Sequence, residues 1–143
     1  PPLRYEDVYR LKQDFPELDI EINGGIDTIE DIKMHLQHID GVMIGRAFYH
    51  NPYLLAEANS LWNEATPETI PKRSEILAQL YPYLEEQLAK GEALPTMTRH
   101  YLGLFQGLMG ARKWRQALSG KPQLTIDDIK RAADEVLSLN PDA

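Results

Sequence analysis

An α/β segment continued by an all-α helical bundle is the fold class this sequence predicts, and three observations carry it. Between Ile20 and Pro52 the chain reads IEINGGIDTIEDIKMHLQHIDGVMIGRAFYHNP, in the order strand, glycine turn, helix, strand, glycine-arginine turn. Asn23 and Gly45, where the two strands end, stand 22 residues apart. That distance suits one right-handed crossover between parallel strands and puts both turns on the same edge of a sheet. After residue 71 the apolar residues keep helical spacing to the end of the chain.

Each element has its own warrant. Tyr5 to Phe15 sets Val8, Leu11 and Phe15 at helical spacing, and Pro16 stops the helix. Leu18, Ile20 and Ile22 alternate with Asp19 and Glu21, which predicts a strand ending at Asn23. Gly24 and Gly25 then permit backbone angles that side chains forbid. Asp27 and Glu30 resemble a capping box for a helix with Ile29, Ile32, Leu36 and Met34 inward. Ile39 to Ile44 supplies the second strand, closed by Gly45 and Arg46, and Pro52 suits the first turn of a helix carrying Leu54, Leu55, Ala58 and Trp62. The polar stretch NEATPETIP, residues 63 to 71, separates an α/β portion, 1–63, from a helical portion, 64–143.

In the helical portion, Leu77, Leu80, Tyr81, Leu84 and Leu88 predict a helix kinked at Pro82. Met97, Tyr101, Leu104, Phe105 and Leu108 predict a second helix, and Trp114 and Leu118 a third after Gly110. Thr125, with Asp128, caps a last one holding Ile129, Ala132, Ala133, Val136 and Leu137. No period recurs among these stripes, so the helices are expected to pack as a small bundle and not as a repeat array.

Composition narrows the function classes. With 43% apolar residues in 143, the chain can bury the core of one domain or of parts of two. Mean hydropathy is −0.43 and no apolar run nears the length of a membrane span, so none is expected. The N-terminal stretch lacks the build of a secretory signal, and a cytoplasmic setting is expected. The absence of cysteine removes disulfides, thiolate zinc sites and any thiol acid or nucleophile from this chain. The net charge of −7 is unevenly placed: residues 1–70 hold 5 basic and 13 acidic side chains, residues 71–143 hold 10 and 9. Between Glu92 and Asp127 there is no acid, while Arg99, Arg112, Lys113, Arg115 and Lys121 fall there.

Two constellations point to chemistry. A strand ending in Asn23-Gly24-Gly25 before a helix N-terminus offers unpaired amides to an anion, and Gly45-Arg46 adds a guanidinium suited to phosphate oxygens. Either turn alone reads as a tight turn. Together, one crossover apart, they match the phosphate site after strands 7 and 8 of a (β/α)8 TIM barrel. The second constellation is Arg112 and Arg115, three apart on one helix face beside Lys113 and Trp114. It suits successive phosphates of a nucleic acid, or is an ordinary basic helix with Trp114 in the core. Arg99 and His100 would extend it. His35 and His38 read as residues of a polar helix face, with no third metal ligand in reach, and His50 and Asn51 as ligand contacts or a helix cap.

Three motifs bear a family resemblance: INGGI at Ile22 to Ile26, DGVMIGRAFYHNP at Asp40 to Pro52, and TRHYLGLFQGLMGARKWR at Thr98 to Arg115. They resemble the C-terminal part of the bacterial tRNA-dihydrouridine synthases, in particular the synthase A subgroup. The resemblance implies an FMN-dependent oxidoreductase that reduces the C5–C6 double bond of uridine in the tRNA D-loop with NADPH. It implies, too, a fold in which the last two strands and helices of an FMN-binding TIM barrel precede a helical tRNA-binding domain. By position, Asn23, Gly24 and Gly25 match the first flavin phosphate turn, Gly45 and Arg46 match the second, and Arg112 and Arg115 match the arginine pair that contacts tRNA.

The family's active-site cysteine belongs to the earlier strands, so no catalytic residue is expected in this chain, and the chain alone is expected to be inactive. No metal and no membrane partner is expected. The full-length enzyme would be monomeric. In the fragment, two strands cannot close a barrel, so Ile20, Ile22, Val42, Met43 and Ile44 are expected to lose partners and to drive self-association or disorder in residues 1–60. Two other readings compete. One is a different phosphate- or flavin-binding barrel oxidoreductase whose helical tail serves packing, and the other is a non-enzymatic RNA-binding helical module.

Overall fold

The computed structural model describes residues 2–62, 69–119 and 123–143, which group into two units, Pro1–Phe48 and Tyr49–Ala143. The expected boundary at residues 63 and 64 lies outside the described residues. The architecture is mixed α/β, mostly helical, with one two-stranded parallel sheet among the described residues.

The first unit runs α1 (Tyr5–Asp14), β1 (Glu21–Asn23), α2 (Ile29–His35), β2 (Gly41–Met43) and the start of α3 (Arg46–His50). β1 and β2 pair in parallel, with Glu21 opposite Gly41, Ile22 opposite Val42 and Asn23 opposite Met43. Asp40 sets the entry to both strands: its Oδ2 accepts the Ile20 N–H at 2.8 Å, and Lys12 Nζ lies 2.8 Å from the same oxygen. Lys12 also donates to the Leu18 carbonyl at 2.7 Å, so one ammonium ties α1 to the approach of β1.

α2 begins one residue later than Asp27 and Glu30 suggest. Thr28 Oγ1 accepts the Asp31 N–H at 3.0 Å and Asp31 Oδ2 accepts the Thr28 N–H at 3.2 Å. This reciprocal pair satisfies two amides of the helix end with one hydroxyl and one carboxylate. The buried residues of α2 are Ile32 and His35, while Met34 faces outward. The polar-face reading is therefore corrected for His35, which is 1% exposed. Its Nδ1 lies 2.6 Å from Tyr9 Oη, and Tyr5 meets the ring edge-on at 4.6 Å. A buried imidazole is tolerated because α1 supplies that hydroxyl. His38 stays exposed and stacks on Tyr9 at 4.4 Å. On α1 the inward residue is Tyr9, whereas Leu11 and Phe15 are exposed. Ile22 is buried and Met43 exposed, so the expected loss of partners falls unevenly on the strands.

This arrangement predicts a pH response. Burial pushes the His35 pKa below its ordinary value, His38 adds to the effect, and the Asp31 carboxylate opposes it. Burial also raises the Tyr9 pKa, so the phenol beside Nδ1 stays uncharged. The folded state thus binds the imidazole proton less readily than the unfolded chain. Stability is then full above about pH 6.5 and falls as pH drops through the lowered pKa. Melting of the chain followed from pH 7.5 to 5.0 should show this decline in the first unit, and His35→Gln should flatten it. An unchanged slope in the variant would remove His35 as the cause.

The second unit contains α4 (Tyr53–Asn59), α5 (Arg73–Ala89), α6 (Leu94–Thr98), α7 (Ala111–Ser119) and α8 (Ile126–Leu139). α4 buries Leu54 and Ala58 and ends before Trp62, which is exposed. α5 carries Pro82 within its span and buries Leu77 and Leu84. α8 starts at the expected capping box, Asp128 N–H to Thr125 Oγ1 at 3.1 Å and Thr125 N–H to Asp128 Oδ2 at 3.2 Å. Its inner face, Ile129, Ala132, Ala133 and Val136, joins Leu77, Leu84, Phe105, Trp114 and Leu118 in one core.

The helix expected over Met97 to Leu108 is not formed as such. α6 ends at Thr98, and residues 99–110 are a chain of turns closed by bonds from residue i to residue i+3, such as Leu104 N–H to the Tyr101 carbonyl at 3.0 Å. Gly107 and Gly110 adopt φ of 83° and 88°, outside any right-handed helix. Gly103 packs against backbone, where an added methyl group would overlap the carbonyl of His50. The apolar residues of the segment are still buried, Leu104 and Phe105 completely or nearly so.

Candidate phosphate cradle and basic helix

Both glycine turns line one cleft in the first unit, with a volume of about 210 Å³. Asn23 to Asp27 come from the end of β1, and Met43 to Ala47 from the end of β2. Gly24 and Gly25 hold φ of 103° and 63°, which turns the chain sharply after Asn23. The turn is braced from behind: Tyr5 Oη donates to the Gly24 carbonyl at 2.6 Å, and methyls added at Gly24 or Gly25 would press on Leu3 or Tyr5. Sequence reasoning missed Tyr5, because its partner is 19 residues away and no local pattern marks the pair. At Gly45, by contrast, an added methyl would meet open space. Arg46 is exposed and makes no ion pair among the described residues. Asp27 also borders the cleft, so an anion there would rest on the backbone amides and Arg46 with one acidic residue at the rim.

The second constellation lies on α7. Ala111, Trp114 and Leu118 are its buried residues, while Arg112, Lys113 and Arg115 are exposed. Trp114 is a core residue: its ring packs edge-on to Phe105 at 5.0 Å, and Nε1 donates to the Tyr101 carbonyl at 2.9 Å. The two arginines share the outer face, and among the described residues the Arg115 guanidinium reaches the Gln106 side chain at 3.4 Å. Lys121, the last cation of the acid-free stretch, lies outside the described residues.

The sequence model of the family described as dihydrouridine synthase (Dus) matches residues 1–135, which includes both turns and the basic helix. The chain belongs to the dihydrouridine synthase family. A tRNA-dihydrouridine(20/20a) synthase of Vibrio parahaemolyticus is 55% identical over 120 residues, 83% of this chain and 36% of that protein. One of Vibrio cholerae is 46% identical over 140 residues, 95% of this chain and 42% of that protein. One of Synechocystis sp. is 53% identical over 119 residues, 83% of this chain and 35% of that protein. The chain thus spans between 35% and 42% of these curated relatives.

As a dihydrouridine synthase chain, it carries further buried polar groups that local patterns did not reveal. Arg73 is 9% exposed. Its guanidinium carbon sits 3.5 Å from the centre of the Tyr53 ring, and Nε donates to the Leu104 carbonyl at 2.8 Å. Burial lowers its pKa, while Tyr53 and Glu57 oppose that effect. The contact joins the start of α5 to α4 and to the turns after α6. Asn51 does not cap α4 with its side chain, since Oδ1 is buried and unpartnered among the described residues. No group of three or more His, Asp or Glu among the described residues could hold a metal ion, and no described helix is long and apolar enough to cross a membrane.

Proposed function

We propose that this chain supplies one side of the flavin phosphate site and the tRNA-contacting helices of an FMN-dependent, NADPH-using tRNA-dihydrouridine synthase that acts on D-loop uridine. The observation that carries this reading is that the two turns assigned to the flavin phosphate border a single cleft in a chain of this family. Asn23, Gly24, Gly25 and Gly45 would present backbone donors to the phosphate, and Arg46 a guanidinium with no competing carboxylate bonded to it among the described residues. The fit is to one end of the cofactor. A cleft of about 210 Å³ lies below the roughly 300–1,000 Å³ of whole small-molecule sites.

When bound, FMN carries reducing equivalents from NADPH to the uracil C5–C6 double bond. In this reading the chain holds and orients, and the cysteine that the family resemblance implies as the acid for uracil lies outside it. The parallel pair β1–β2, with one helix between the strands, is compatible with the last two strands of a TIM barrel, and Arg112 and Arg115 are the tRNA contacts in this reading.

Two measurements test it. With tRNA, FMN and NADPH supplied, nucleoside mass spectrometry should find no dihydrouridine formed by this chain alone. The chain should nonetheless bind a tRNA transcript, and Arg112→Gln with Arg115→Gln should lower the slope of log affinity against log salt by about 2. An unchanged slope would take these arginines out of the tRNA interface and favour a helical tail that serves only packing.

A further inference from the structure

We infer that Tyr49, His50, Arg99 and His100 form a second RNA contact in the helical unit, receiving an unpaired nucleotide with its base against Tyr49 and its phosphate against Arg99. The inference deepens the tRNA reading proposed above and rests on it.

Two stretches far apart in sequence meet here. The Tyr49 ring lies 5.8 Å from His100 at 80° and 5.9 Å from His50 at 75°. Neither imidazole lies flat on it, and Tyr49 remains 55% exposed. Arg99 Nε donates to His100 Nε2 at 3.3 Å. That bond engages one edge of the guanidinium and leaves the terminal nitrogens for an anion, where Arg99 has no carboxylate partner among the described residues.

The charge pattern makes the location selective. The chain holds 22 acidic side chains against 15 basic ones, yet residues 49–56 and 93–126, which build this cluster and α7, contain none of the acids. The two stretches are also fixed to each other, since Gly103 sits so close to the His50 carbonyl that no side chain fits between them. The cluster is therefore preorganised, and ordering it on binding costs little. A sequence-tolerant π-face beside a cation with no carboxylate paired to it among the described residues is the recurring chemistry of single-stranded nucleotide contacts.

The test is fluorescence anisotropy of a labelled tRNA transcript with the complete 143-residue chain, comparing Tyr49→Leu, Tyr49→Phe, Arg99→Gln and the double variant Arg112→Gln, Arg115→Gln. Tyr49→Leu should weaken binding about tenfold with the salt slope unchanged, whereas Tyr49→Phe, which keeps the ring, should stay within about twofold. Arg99→Gln should weaken binding and lower the salt slope by about 1. Both sites are exposed, and Arg99→Gln provides an arm independent of any folding effect at Tyr49. If Tyr49→Leu and Arg99→Gln both bind like the parent while the α7 double variant is impaired, the inference is overturned and the tRNA reading stands. If the parent chain binds no tRNA, both fall together.

Discussion

Gly103→Ala is expected to collapse the helical unit. The added methyl would fall on the His50 carbonyl, with the carbonyl carbon at 2.7 Å and Pro52 Cδ at 3.1 Å. Backbone cannot rotate aside as a flexible side chain can, so the cost should reach or exceed the upper end of overpacking, about 3 kcal/mol. For a unit of this size that corresponds to a fall in melting temperature of roughly 12–24 °C. Gly45→Ala is the matched control: its methyl meets open space, and melting should not move. Circular dichroism melts of both variants check the pair. A Gly103→Ala protein that melts with its parent would mean that the 49–52 and 98–103 segments separate freely, and the preorganisation argued for the Tyr49 cluster would fail with it.

Trp114→Ala is expected to have the next largest effect, about 3–5 kcal/mol in urea denaturation. The substitution empties a fully buried site, removes the edge contact to Phe105 and leaves the Tyr101 carbonyl without its indole donor. Trp62→Ala, at a position 57% exposed, should stay within about 0.5 kcal/mol of the parent. A small loss at Trp114 would mean that α7 is held by other contacts. Arg112 and Arg115 would then owe their positions to something besides the indole.

Where a pattern is closed within a few residues, it could be read from the sequence. The glycine turns follow from backbone sterics, the parallel pairing from one crossover length, and the Thr125–Asp128 cap from a three-residue spacing. The same spacing misled at α2, where Asp27–Glu30 and Thr28–Asp31 overlap and only the second pair forms the box. Apolar periodicity over Met97 to Leu108 reported burial correctly and hydrogen bonding wrongly, because a run of turns can bury the same side chains as a helix. His35 and Arg73 were illegible for a common reason: a polar group becomes tolerable inside only when a distant partner satisfies it. Those partners, Tyr9 and the Leu104 carbonyl, lie 26 and 31 residues away. In the candidate site, the turn residues and the α7 arginines were visible locally. Tyr5 behind Gly24 and Tyr49 beside His100 required the fold.

The two-sidedness of α7 has a consequence for how such a chain can diverge. Ala111, Trp114 and Leu118 hold the helix down, while Arg112, Lys113, Arg115 and Gln116 face solvent. Inheritance can therefore rewrite the outer row one position at a time with little penalty to folding. What the helix recognises and whether the helix exists are set by different letters of the same nine-residue word.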